Sequence, residues 1–262
     1  MLGRAGKKVL VLEANDQVGG AAMTREFSKG YAVSSCAHLL YQLQPTVQKD
    51  LGLKLDIAAE NMGTVVLSAD GKHLRIKNDQ VAGVSGEDAV SYRAFHKRMT
   101  RFADLLNIYL NKTPPRLAKD ASRSDMLTLA KFGFDVRRLG RTEMQELLRL
   151  IGMNIRDEVV EKFESASLRG AISLDAVLGT HLGPRSPNTV LTYLYRLAGG
   201  HGKISQPAGG MGAVSEGLAK SARDRGAVIR TGIPVKRIVV EDGRVSGVET
   251  QSGETFSSSL VV

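Results

Sequence analysis

Residues 7–20, Lys-Lys-Val-Leu-Val-Leu-Glu-Ala-Asn-Asp-Gln-Val-Gly-Gly, constrain what this chain can fold into more than any other stretch. A basic pair enters an unbroken apolar run, the run ends in Glu13, and Gly19-Gly20 follows. An apolar run without alternation is expected of a strand covered on both faces, as in a parallel sheet. An acid at the C-terminal end of such a strand is placed to accept the hydroxyls of a ribose, as in the second strand of a dinucleotide-binding unit. In such units the acid lies about 20 residues beyond a Gly-rich phosphate loop, whereas Glu13 is the thirteenth residue here. The spacing therefore predicts that the loop and its strand precede residue 1, with residues 1–6 closing the first helix at Gly6.

Composition narrows the function classes. The chain is 42% hydrophobic and 24% charged, which is ordinary for a globular protein. Its 262 residues suffice for one large domain or two intertwined ones. The net charge of +9 comes from Lys and Arg that are scattered rather than grouped with aromatics. That pattern argues against a nucleic-acid partner, while weak attraction to anionic lipid or anionic substrates stays open. Cys36 is the only cysteine, so thiol–disulfide catalysis by this chain alone is excluded. No run of 18 apolar residues occurs, and no transmembrane helix is expected.

Along the chain, residues 45–51 read as a short helix, and 64–77 as strand, turn at Asp70-Gly71, and strand. Ser85 and Asp88 have capping-box spacing at the head of a long amphipathic helix that Pro114-Pro115 ends. Helical patterns follow at 123–139, 142–151, 155–164, 167–178 and 187–198, with Thr142 and Gln145 as a cap for the second. The α/β character then returns. Pro207-Ala-Gly-Gly-Met211 leads into a helix over 212–225. Strands follow at 228–230, 235–241 and 244–250, with Asp242-Gly243 as a hairpin turn, and then at 255–256. Residues 260–262 read as a further strand. The expected architecture is α/β: a Rossmann-like domain in two pieces, 1–63 and 206–262, with a β-hairpin meander and a largely helical substrate domain, 64–205, inserted.

Several segments carry a family resemblance: 6–13, Val18-Gly19-Gly20, Pro207-Ala-Gly-Gly-Met-Gly-Ala213, Thr231-Gly-Ile-Pro-Val-Lys-Arg-Ile238, and Glu241-Asp-Gly-Arg-Val-Ser-Gly-Val248. In that order and spacing they resemble the FAD-dependent oxidoreductases of the phytoene desaturase-like and amine-oxidase-like superfamily. The resemblance is strongest to its pyridine nucleotide-disulfide oxidoreductase domain-containing branch. It spans nearly the whole chain, loosely through the helical insertion. It implies FAD as cofactor and a small organic substrate held between flavin and insertion. Despite the branch's name no redox disulfide is implied, in agreement with the single cysteine.

On this resemblance the cofactor-binding candidates are Glu13, Gly19, Gly20, Thr24 and Val235, with Arg25 as a lesser one. Glu13 would accept ribose hydroxyls; the plain alternative is a surface glutamate ending a strand. Gly19 and Gly20 would let the backbone approach the pyrophosphate or ribityl chain, or would simply form a turn. Gly209-Gly210-Met211 serves either cofactor contact or chain reversal. Val235 lies where the strand backbone meets adenine in similar proteins, or is apolar core. Cys36, His38 and Tyr41 fall where similar chains pass the isoalloxazine ring. A flavin enzyme needs no side-chain nucleophile, so the catalytic residues stay open. His38 is a candidate acid–base group, with a structural role as its alternative. His73, His96, His181 and His201 are too dispersed for a metal site, and Ser34-Ser35 lies in no nucleophile elbow.

The resemblance also implies a C-terminal part beyond residue 262. Without that part and the phosphate loop, the expectation is that this chain alone folds poorly, binds FAD weakly and is inactive. The leading reading is an FAD-dependent desaturase, dehydrogenase or oxidase that removes a hydride from an apolar or amine-bearing organic substrate. Its alternatives are a non-catalytic binding protein on the same fold, similar to the GDP-dissociation inhibitors, an inactive fragment, or an NAD-dependent dehydrogenase. The sequence leaves substrate, electron acceptor and oligomeric state open, and does not decide between cytoplasm and mitochondrial matrix.

Overall fold

The computed structural model describes residues 1–118, 120–199 and 203–262. In chain order the elements are β1 (Leu10–Leu12), β2 (Thr24–Ser28), β3 (Tyr31–Ser34), α1 (Pro45–Leu51), β4 (Ile57–Ala59), β5 (Thr64–Val66), β6 (Leu74–Lys77) and β7 (Gln80–Ala82). Helices α2 (Gly86–Leu110), α3 (Arg123–Arg137), α4 (Arg141–Gly152), α5 (Ile155–Lys162), α6 (Ala166–Val177) and α7 (Thr189–Gly199) follow. The chain closes with β8 (Gln206–Pro207), α8 (Gly212–Arg223), β9 (Val228–Arg230), β10 (Val235–Glu241), β11 (Arg244–Thr250) and β12 (Thr255–Ser257). Its contacts divide it into two units: residues 1–40, 45–59 and 205–262, and residues 41–44 and 60–204.

The first unit is α/β. Its defining pair is β1 with β9, parallel, in the register Leu10↔Val228 to Leu12↔Arg230. Strands β10, β11 and β12 form an antiparallel meander, turning first at Asp242-Gly243. The C-terminal segment of the unit is paired with the earlier two at further places, by β4 against β8 and by the bridge Leu40↔Ser205. Strand β1 does not have the two covered faces that its apolar run implies: Leu10 and Val11 are 41% and 39% exposed. Among the described residues β9 is the only strand paired with β1, so the other edge of β1 is open as well. Residues 260–262 do not form the expected strand. The Ser258 hydroxyl donates to the Leu260 carbonyl (2.7 Å) and accepts from the Leu260 amide (3.2 Å), a local turn that competes with strand pairing.

The second unit is helical apart from the small sheet β5–β6–β7. Its third strand, β7, follows a two-residue turn that the sequence pattern did not mark. The core is built from side chains spaced along the helices: Met99 and Phe102 on α2, Leu147 and Leu150 on α4, Leu168 on α6 and Leu194 on α7 are fully buried. Phe95 meets Phe163 edge-on at 5.5 Å, the arrangement aromatic quadrupoles favour.

Helix starts follow capping chemistry, with two departures from the sequence pattern. Ser85 Oγ accepts from the Asp88 amide (3.1 Å) as expected. The Asp88 carboxylate does not return the bond. It is buried and accepts instead from the amides of Glu164 and Ser165, both at 2.8 Å, just ahead of α6. A reciprocal capping box does form at Ser122 and Asp125. The expected cap by Thr142 and Gln145 does not form. Helix α4 begins earlier, with Gly140 as its N-cap and no side-chain cap, so Thr142 already lies within the first turn.

Candidate cofactor site

Glu13 sits one residue past β1 and is fixed from both sides. Its amide donates to the Arg230 carbonyl and its carbonyl accepts from the Ile233 amide, both at 2.9 Å. The Gly232 amide donates to the Asn15 carbonyl (2.7 Å), so the turn after β1 is zipped to the turn after β9. The Glu13 side chain is half-buried. Its Oε1 accepts from the Asn15 amide and from Asn15 Nδ2, both at 2.8 Å. Among the described residues Oε2 takes no partner. A carboxylate offers about four acceptor positions, so Asn15 orients this one without saturating it.

Gly19 and Gly20 follow, with φ of 125° and 50°, values that disfavour any side chain. The two glycines differ in their surroundings. A Cβ on Gly19 would lie 2.9 Å from Ser215 Oγ and 3.1 Å from Ser215 Cβ, so this glycine is required by the approach of α8. A Cβ on Gly20 would meet nothing within 4 Å. The space beside Gly20 is open for a ligand, and that of Gly19 is taken by the protein.

Thr24, at the head of β2, holds the glycine loop before α8. Its Oγ1 donates to the Gly209 carbonyl (3.0 Å) and accepts from the Gly212 amide (2.9 Å). Ser34, opposite Thr24 in the β2–β3 hairpin, accepts from the Met211 amide (3.0 Å). A Cβ on Gly210 would fall 2.7 Å from Thr24 Oγ1 and 2.8 Å from Ser34 Oγ. Both side-chain hydroxyls are thus engaged in seating the α8 N-terminus. Of the two roles open for Gly209-Gly210-Met211, this geometry supplies the chain reversal. Ser34, Ser215 and Asn15 carried no signal in the sequence, because their partners lie far along the chain or depend on a turn that spacing alone does not define.

The segment after β3 runs beside the Gly-Gly turn. The Ser35 amide donates to the Met23 carbonyl (2.8 Å) and the Ala37 amide to the Ala21 carbonyl (2.9 Å). Cys36 and His38 are exposed there, with His38 Nδ1 3.4 Å from the Cys36 carbonyl. Arg25 is exposed on β2. Val235 opens β10 opposite Thr250 and is 41% exposed. It lies two residues beyond Ile233, the backbone partner of Glu13. Tyr41 belongs to the helical unit, where the Arg196 guanidinium lies over its ring at 4.4 Å. Among the described residues no three His, Cys, Asp or Glu side chains are grouped to hold a metal; His201 lies outside the described residues. No described helix is long and apolar enough to cross a membrane.

An α/β unit with a carboxylate fixed at the end of its first strand and an open Gly20 turn behind it defines the class of dinucleotide-binding folds. The model of the flavin containing amine oxidoreductases matches residues 1–262, and the chain belongs to that family. Its cofactor is FAD. The mouse pyridine nucleotide-disulfide oxidoreductase domain-containing protein 2 is 28% identical over 291 residues, covering 100% of this chain and 49% of the mouse protein. The phytoene desaturase (neurosporene-forming) of Cereibacter sphaeroides is 25% identical over 285 residues, with 100% and 49% covered. An oxidoreductase of known structure from Methanosarcina mazei shares the fold at a TM-score of 0.57 and 18% identity, covering 99% of this chain and 53% of the other. The chain spans about half the length of the curated relatives it matches.

Proposed function

We propose that the protein is an FAD-dependent oxidoreductase that removes a hydride from an apolar or amine-bearing organic substrate. The observation that supports this most is the Glu13 carboxylate, oriented by Asn15 through Oε1, with no partner on Oε2 among the described residues. In this reading Glu13 accepts the ribose hydroxyls of FAD. The open backbone at Gly20 admits the diphosphate or ribityl chain, where a Cβ would intrude. Gly19 and Thr24 act one step removed, by seating α8 against the cofactor loops. The backbone at Val235 lies along the adenine. Bound FAD supplies the two-electron acceptor, and no side-chain nucleophile is then needed. The helical region is the substrate domain. Apolar and amine donors both fit the family, and the relation to a phytoene desaturase favours the apolar class.

The test is the absorption spectrum of the purified natural protein, before and after incubation with FAD. Visible flavin bands that bleach anaerobically with an organic donor are the expected result. A protein that stays colourless and takes up no added FAD overturns the reading. In a flavin-loaded protein, E13A is expected to weaken FAD binding by about tenfold or more, the loss of one or two charge-assisted hydrogen bonds. Equal affinity would remove Glu13 from the site.

A further inference from the structure

We infer that the helical unit carries a second ligand site, for an organic phosphate with an apolar body, in the groove between α5, α6 and the 183–186 turn. The groove is open to solvent and has a volume of about 660 Å³, within the range of small-molecule sites. Three arginines line it, Arg156, Arg169 and Arg185, and no acidic residue does. Its floor is apolar, from Val159, Ala166 and Pro184.

The three cations are only lightly engaged by the protein. Arg169 donates through Nε to the Phe163 carbonyl, which fixes the side chain and leaves its outer nitrogens available. Arg156 Nη1 lies 3.2 Å from Asp157 Oδ1, an exposed pair of the kind that contributes little. Asp157 Oδ2 is itself bonded by Asn154 Nδ2 (2.8 Å). Arg185 makes no ion pair among the described residues. Three like charges around one groove repel each other until an anion joins them. A phosphate monoester, with up to two charges and three acceptor oxygens, matches that set better than a single carboxylate. The apolar floor adds affinity only for a ligand with an organic body.

A second, independent observation comes from Gly170, inside α6 and on the groove wall. Glycine in a helix interior costs about 1 kcal/mol relative to alanine. Here no protein atom requires it, since a Cβ would meet nothing within 4 Å. What its absence of a side chain achieves is an open groove.

The experiment is calorimetric titration of the natural protein with decyl phosphate, with decanol and inorganic phosphate as the two half-ligands. The expected result is saturable binding of decyl phosphate that weakens with added salt, with each half-ligand at least about tenfold weaker. The double variant R156E/R185E changes two exposed side chains, and G170L fills the groove while removing a helix glycine. Each is expected to lower decyl phosphate affinity by about tenfold or more, with the unfolding midpoint unchanged for R156E/R185E and unchanged or raised for G170L. Unchanged affinity in both variants overturns the inference, as does binding only to anionic phosphatidylglycerol vesicles and not to the monomeric ligand. FAD uptake, read on the same samples, is expected to be unaffected, so this site and the cofactor site fail or stand separately.

Discussion

At the scale of single residues, position relative to a turn matters more than residue type. Glu13 was legible in the sequence because an apolar run ending in an acid is a local pattern. Its orientation by Asn15 was not, because it depends on how the chain turns after β1. Thr24 was marked in the sequence as a candidate cofactor contact, whereas its engagement with Gly209 and Gly212 joins distant parts of the chain and was not legible. That engagement carries a prediction. T24V removes the acceptor for the Gly212 amide and leaves the amide partly buried. The expected cost is about 1–3 kcal/mol, read as a lower unfolding midpoint, whereas T24S keeps the hydroxyl and is expected to stay near the wild type. If T24V melts with the wild type, the seating of α8 does not depend on this hydroxyl.

At the scale of elements, most of the fold was legible, because strands and helices are written in local periodicity and caps. The helix at α1, the hairpin turning at Asp242-Gly243 and the long helix α2 all follow from such signals. The misreadings have physical causes as well. Ser258 takes the backbone groups that a strand at 260–262 would need. Helix α4 starts at Gly140 and bypasses the Thr142 cap. Asp88 looked like half of a capping box for its own helix and instead receives the amides of Glu164 and Ser165. Because it ties α2 to the entry of α6, D88A is expected to cost about 1–3 kcal/mol, as for two part-buried amides returned in part to water. An unfolding midpoint within error of the wild type would show that Asp88 is not what holds that junction.

At the scale of the whole molecule, the helical unit holds a fully buried carboxylate in an ion pair, and that pair contributes to its pH response. Glu158 is fully buried and Arg149 Nη2 lies 3.0 Å from its Oε2. Burial pushes the Glu158 carboxyl above its ordinary 4.5, and the neighbouring Lys162 and Arg149 oppose that shift. Removing Arg149 as R149M leaves the buried Glu158 carboxylate with Lys162 as its remaining neighbouring cation, at a cost of about 1–3 kcal/mol near neutral pH. A carboxyl whose folded pKa is raised favours the folded state when protonated. Relative to the wild type, the variant should therefore lose least below about 4.5, and its deficit should grow as pH rises toward neutral. Unfolding midpoints measured across that range check this; a flat profile would mean that the carboxylate finds another partner. The α/β unit has a different whole-molecule property, in that β1 pairs with β9 across nearly the entire chain. On a ribosome adding about 5–20 residues per second, Val228 emerges on the order of ten seconds or more after Leu12. Throughout that interval the helical region can fold from its own local contacts, while Leu10 and Val11 wait as sticky nascent chain. The segment from Lys8 to Leu12 is accordingly where a holding chaperone should be crosslinked during synthesis.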